Sequence, residues 1–152
     1  MRDLLAYNPI FLIFTSFLIG ALLTEICKKL DIISYFLNMD FLSDEQTKQL
    51  GILKFRWILM HSFMSKFNQK LKYDGKAKKL KLEGLVTEMN YAEISHFFAF
   101  LFLLVINILF FWWNINWAYI VFFFFINVVF NLFFVFIQQY NKRRIRRILQ
   151  KM

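Results

Sequence analysis

The chain has 152 residues, 59% of them hydrophobic and 21% aromatic, with a formal net charge of +9. Soluble domains carry roughly 45–50% apolar residues; here the excess is gathered into Phe-rich blocks, which excludes an ordinary soluble globule and points to a single membrane domain over 1–152. The basic residues flank the apolar runs, so anionic membrane lipids rather than nucleic acid are their natural partner, and the lone Cys27, a small apolar filler, excludes an internal disulfide.

Pro9 suits the first turn of a helix. From 9 to 27 the chain is apolar apart from Thr15, Ser16, Gly20, Thr24 and Glu25, which is long enough to span a bilayer. A signal peptide is the rival reading. The start is not strongly basic, no clean small-residue cleavage site follows, and Lys28-Lys29 suit a stop-transfer anchor. Tyr35, Phe36, Phe41 and Leu42 read as an interfacial piece. Ser43-Asp44-Glu45 opens a helix with an acidic first turn. Leu50, Leu53, Trp57, Met60, Met64, Phe67 and Leu71 then follow at spacings of three and four, which predicts an unbroken amphipathic helix over about 44–71, lying in the interface. His61 stands beside that seam as a surface histidine. Lysines crowd 72–82 around the Asp74-Gly75 turn, a basic loop on the cytoplasmic side.

The second span is expected at 94–113, as the unbroken continuation of a helix carrying Glu88, Glu93 and His96. Trp112, Trp113 and Trp117 around Asn114-Ile115-Asn116 mark a membrane–water interface and a tight helical hairpin. A third span runs over 117–137 and carries Asn127 and Asn131 on one face, continued by Gln138 and Asn141. The chain ends in a basic tail, 141–152. The expected fold is therefore an all-α integral membrane protein with three transmembrane helices and one amphipathic interfacial helix. Apart from Arg2, every Lys and Arg lies between the first two spans or after the third. The positive-inside rule then puts the N-terminus outside and the C-terminus in the cytoplasm. Abundant Phe, Ile, Lys and Asn point to a bacterial cell membrane.

Two acids and an imidazole are costly beside hydrocarbon unless they face protein or water. At about 100° per residue, Glu88 and His96 fall about 80° apart around the helix, and Glu93 and His96 about 60° apart. Glu88 is about 12 Å from His96 along the axis, too far for direct contact. These groups are either the solvated start of a membrane helix or one wall of a polar pocket. The amides of the third span are either glue between helices or the other wall.

Two stretches resemble a known family. Glu88-x-x-x-Ala92-Glu93-x-x-His96 before an apolar span, and Asn131 with Gln138-x-Tyr140-Asn141-x-x-Arg144 downstream, are similar to the paired signatures of the glycosyl-diaponeurosporenoate acyltransferases, small membrane enzymes of staphyloxanthin-type carotenoid synthesis. The resemblance implies transfer of a fatty acyl group, from acyl-CoA and with no bound cofactor, to a sugar hydroxyl of a glycosylated lipid or carotenoid. The residue types suit that chemistry. His96 has the pKa of a general base, and Glu93 or Glu88 can orient it. Asn131, Gln138 or Asn141 can donate to an oxyanion, and Tyr140 and Arg144 can hold the sugar or the CoA phosphates. One His with widely spaced acids makes a weak metal site. A non-catalytic membrane subunit or scaffold, and a membrane methyltransferase, remain the alternatives, and the oligomeric state is not legible.

Overall fold

A computed structural model describes residues 8–36, 40–62 and 79–152. Its order is α1 (Pro9–Lys29), a 3-10 turn (Ile33–Phe36), α2 (Asp44–Gln49), α3 (Ile52–His61), α4 (Lys79–Trp112), α5 (Trp117–Asn127), a π-helical turn (Val128–Leu132) and α6 (Phe133–Leu149). Among the described residues there is no strand, so the fold is all-α. The helices Pro9–Lys29, Lys79–Trp112 and Trp117–Leu149 are long and apolar enough to cross a membrane. Two compact units form, one from described residues 8–36 and 92–135, the other from 40–62, 79–91 and 136–152.

In the first unit, α1 starts where Asn8 Oδ1 accepts from the Ile10 and Phe11 amides, with Pro9 in the first turn. It buries Leu12, Ser16, Gly20, Thr24 and Cys27, one mostly small stripe, and exposes Phe11, Phe14, Leu18 and Leu22. Without water to drive helices together, close backbone approach through small residues does that work. The approach is closest at Gly20, where an added Cβ would stand 2.2 Å from the Ser95 carbonyl oxygen and 3.2 Å from Ala99 Cβ. Asn114 closes α4 in the left-handed conformation (φ 52°). The Asn114 and Ile115 amides donate back to Phe111 O and Phe110 O at 3.2 and 3.0 Å, a Schellman ending. Asn116 then caps α5 by accepting from Ala118 N at 2.8 Å, so the tryptophan-flanked hairpin forms as expected. Leu12, Leu103, Phe110, Ile120 and Phe123 make the apolar core, and Asn107 Nδ2 donates to Ile120 O across the hairpin at 3.3 Å.

In the second unit the structure corrects one expectation. The amphipathic segment is not one helix. A capping box between Ser43 and Gln46 starts α2, but Gly51 takes a left-handed conformation (φ 72°) and the chain restarts as α3. The seam spacing survives the break, which is why periodicity alone conceals it. The remainder of that predicted helix, 63–71, and residues 72–78 of the basic loop lie outside the described residues. Lys79–Leu82 already belong to α4, where Leu82 is fully buried.

The basic tail is part of an ordered helix with carboxylate partners of its own. Arg143 donates from Nε to Asp44 Oδ1 at 2.8 Å and from Nη2 to Thr47 Oγ1 at 3.2 Å, and it pairs with Asp40. Arg147 pairs with the other Asp44 oxygen. Gln139 Oε1 accepts from the Phe41 amide at 3.0 Å. The hydrogen-bonded Arg147, with Arg143 alongside, holds the Asp44 carboxyl below its ordinary value against a smaller opposing effect of burial. A depressed carboxylate stabilises the fold above its unfolded pKa of about 3.9, and the contribution is lost as pH falls through the folded value. Asp44→Asn is therefore expected to lower the thermal midpoint at neutral pH. It should also flatten the fall that the wild-type chain shows below about pH 4. A parallel fall in both proteins would place the acid sensitivity elsewhere.

Candidate active site

His96 sits on α4 in the first unit. Its ring stacks on Phe134 (centroids 4.9 Å apart, 23° between planes) and meets the edge of Phe17 at 5.5 Å. Two aromatic walls would serve a merely structural histidine equally well; the amides in the same unit say more. Asn127 Nδ2 donates to Phe100 O at 3.1 Å, and Asn131 Nδ2 donates to Asn127 Oδ1 at 2.9 Å. A backbone carbonyl can only accept, so Phe100 O fixes the orientation of Asn127, and Asn127 fixes that of Asn131. Asn131 is fully buried at the end of this pair of amide hydrogen bonds. His96 Nδ1 and Asn131 Oδ1 are both buried without a hydrogen-bond partner of full geometry. Buried polar atoms of that kind are uncommon and concentrate where chemistry is done. Glu93, one turn before His96, is fully buried.

The π-helical turn carries Asn131. Such turns are rare and frequently found at functional sites. No sequence signal marks it, because the widened turn lies in an apolar block. The Asn131 amide nitrogen gives one N–H to Asn127 and keeps a second donor hydrogen. Glu88 is exposed and belongs to the other unit.

The second unit holds the remaining sequence-derived residues. Gln138 and Asn141 are buried, Tyr140 is half-buried and Arg144 is exposed. The Arg144 guanidinium carbon lies 5.9 Å from the Tyr140 ring centroid. Asn141 Oδ1 accepts from Arg56 Nε at 3.1 Å, while Asn141 Nδ2, Gln138 Oε1 and Asn90 Oδ1 are buried without partners. Sequence reading missed Arg56 and Asn90. The signal for Arg56 was a cation between Phe55 and Trp57, against the apolar seam rather than away from it. Burial pulls the Arg56 guanidinium below its usual range; the neighbouring charge of Arg144 adds to this and Tyr140 opposes it.

No curated protein and no solved structure matches the chain. Residues 42–151 do match a family profile, and that match covers α2 through α6 with His96, the amide relay and the Arg56 cluster. The chain belongs to the glycosyl-4,4'-diaponeurosporenoate acyltransferase family.

Proposed function

We propose that the chain is a bacterial cell-membrane enzyme that moves a fatty acyl group from a CoA thioester to a sugar hydroxyl of a glycosylated carotenoid, with His96 as general base. In this reading the basic C-terminal helix faces the cytoplasm and the N-terminus lies outside. The observation that supports the mechanism is a buried imidazole whose Nδ1 has no hydrogen-bond partner, in the same unit as the amide chain from Phe100 O through Asn127 to Asn131.

The step balances without an oxidant or reductant. The sugar hydroxyl gives its proton to His96 as its oxygen attacks the thioester carbonyl. The tetrahedral oxyanion collapses, the carbon–sulfur bond breaks, and the imidazolium returns the proton to the leaving thiolate. An ester and a thiol result. Phe17 and Phe134 against the ring exclude water, which favours the sugar over hydrolysis as acceptor. Glu93, within one turn, is the candidate to stabilise the imidazolium.

Mass spectrometry of lipids from cells with and without this gene tests the reading. The expected result is a glycosylated polyene whose mass rises by one fatty acyl group only when the gene is present. Identical lipid profiles would support a scaffold, and a shift by one methyl group would support a methyltransferase.

A further inference from the structure

The arginines of the second unit divide into two sets. Arg143 and Arg147 are matched by Asp40 and Asp44. Arg56 and Arg144 are close enough to repel one another, and among the described residues neither is paired with a carboxylate. Arg56 is half-buried and Arg144 exposed, so an anion arriving from solvent can reach the positive charge they share. Asn141 and Tyr140 add donors beside them. Asn141 is 3% exposed; its oxygen is occupied by Arg56 and its Nδ2 has no acceptor. The Tyr140 ring lies under Arg144 and brings a hydroxyl. The cluster therefore offers donors and positive charge, and it lacks an anionic acceptor of its own.

We propose that Arg56, Tyr140, Asn141 and Arg144 form an anion cradle that takes the phosphate groups of a phosphorylated acyl donor. The assignment rests on the acyltransferase reading for the identity of that donor, but the cradle itself rests only on the donor set. Guanidiniums suit phosphate oxygens because their paired N–H groups match them two at a time. Arg56 becomes a substrate-positioning residue, held at the correct angle by Asn141. An anionic lipid headgroup presents the same chemistry and is the competing source.

The test uses the full chain in nanodiscs of phosphatidylcholine and measures heat of binding with two probes, CoA and pantetheine, which lacks the nucleotide phosphates. CoA is expected to bind and pantetheine not to. Arg56→Gln should weaken CoA binding about 10- to 100-fold, the range expected for charge-assisted hydrogen bonds. Arg56→Lys should lose less, because it keeps the charge. Lys54→Gln, an exposed cation on the same helix, should have no effect and controls for net charge. In turnover, Arg56→Gln should raise the KM for acyl-CoA and largely preserve kcat. Equal binding of CoA and pantetheine, or an Arg56→Gln protein that binds CoA as well as Lys54→Gln does, would overturn the cradle. Arg56-dependent retention of phosphatidylglycerol with no binding of CoA would overturn the donor assignment in favour of the lipid. Thermal midpoints report folding, and the Lys variant keeps the test decisive if Gln destabilises the chain. Arg56-dependent CoA binding by a wild-type chain that transfers no acyl group would leave the cradle standing and remove the acyltransferase reading.

Discussion

His96→Ala is expected to reduce acyl transfer by about 10²–10⁴-fold, the usual contribution of a positioned general base. The substitution removes a ring packed between Phe17 and Phe134, so some stability will go with it. His96→Gln separates the two effects, because it keeps much of the volume and polar character while losing the basic nitrogen. Both variants should be comparably inactive, with Gln closer to wild type in thermal midpoint. Asn131→Leu should lower kcat with little change in the KM for acceptor, because it removes the amide that donates to Asn127 in the unit that holds His96. Glu93→Gln should cost less than either His96 variant, since the amide keeps its size and can hydrogen-bond. Activity retained in His96→Gln would return the histidine to a packing role.

Gly20→Leu is expected to be the most damaging single change in the first unit. The Cβ alone would fall 2.2 Å from a backbone oxygen, and no rotamer of any side chain can relieve a clash made by Cβ. The first carbon forces α1 and α4 apart, and the rest of Leu adds overpacking of about 1–3 kcal/mol or more. Gly20→Ala gains about 1 kcal/mol of helix propensity against the same clash, so it should be the milder variant. Leu18→Ala, on the exposed face of α1, should shift the thermal midpoint little. A wild-type midpoint in Gly20→Leu would mean that α1 and α4 do not meet at Ser95.

The sequence disclosed what depends on local pattern. The three apolar helices, the Asn114–Asn116 hairpin and the amide pair at Asn127 and Asn131 follow from length, turn residues and four-residue spacing. What it concealed depends on contacts between distant segments or on backbone choices that leave no residue signature. Gly51 interrupts a seam whose spacing continues regardless. The π-helical turn lies among apolar residues that any helix accepts. Arg143 and Arg147 read as tail charges because their partners, Asp40 and Asp44, are about a hundred positions away. The bond from Asn131 to Asn127 follows from their four-residue spacing, but the donation of Asn127 to Phe100 O is a contact between helices that no spacing discloses. Arg56 was overlooked because a cation in an amphipathic helix is ordinarily solvated, and its half-burial against Asn141 is a tertiary fact.

The central claim is that this membrane protein transfers an acyl group through His96. The direct measurement is single-turnover transfer of a labelled acyl group from acyl-CoA to a glycosylated carotenoid by the purified chain in nanodiscs, with His96→Gln alongside at matched folded concentration. The account predicts labelled ester from the wild type and about 10²–10⁴-fold slower transfer by the variant. Equal rates from the two proteins, or no labelled ester from the wild type with both substrates bound, would contradict it.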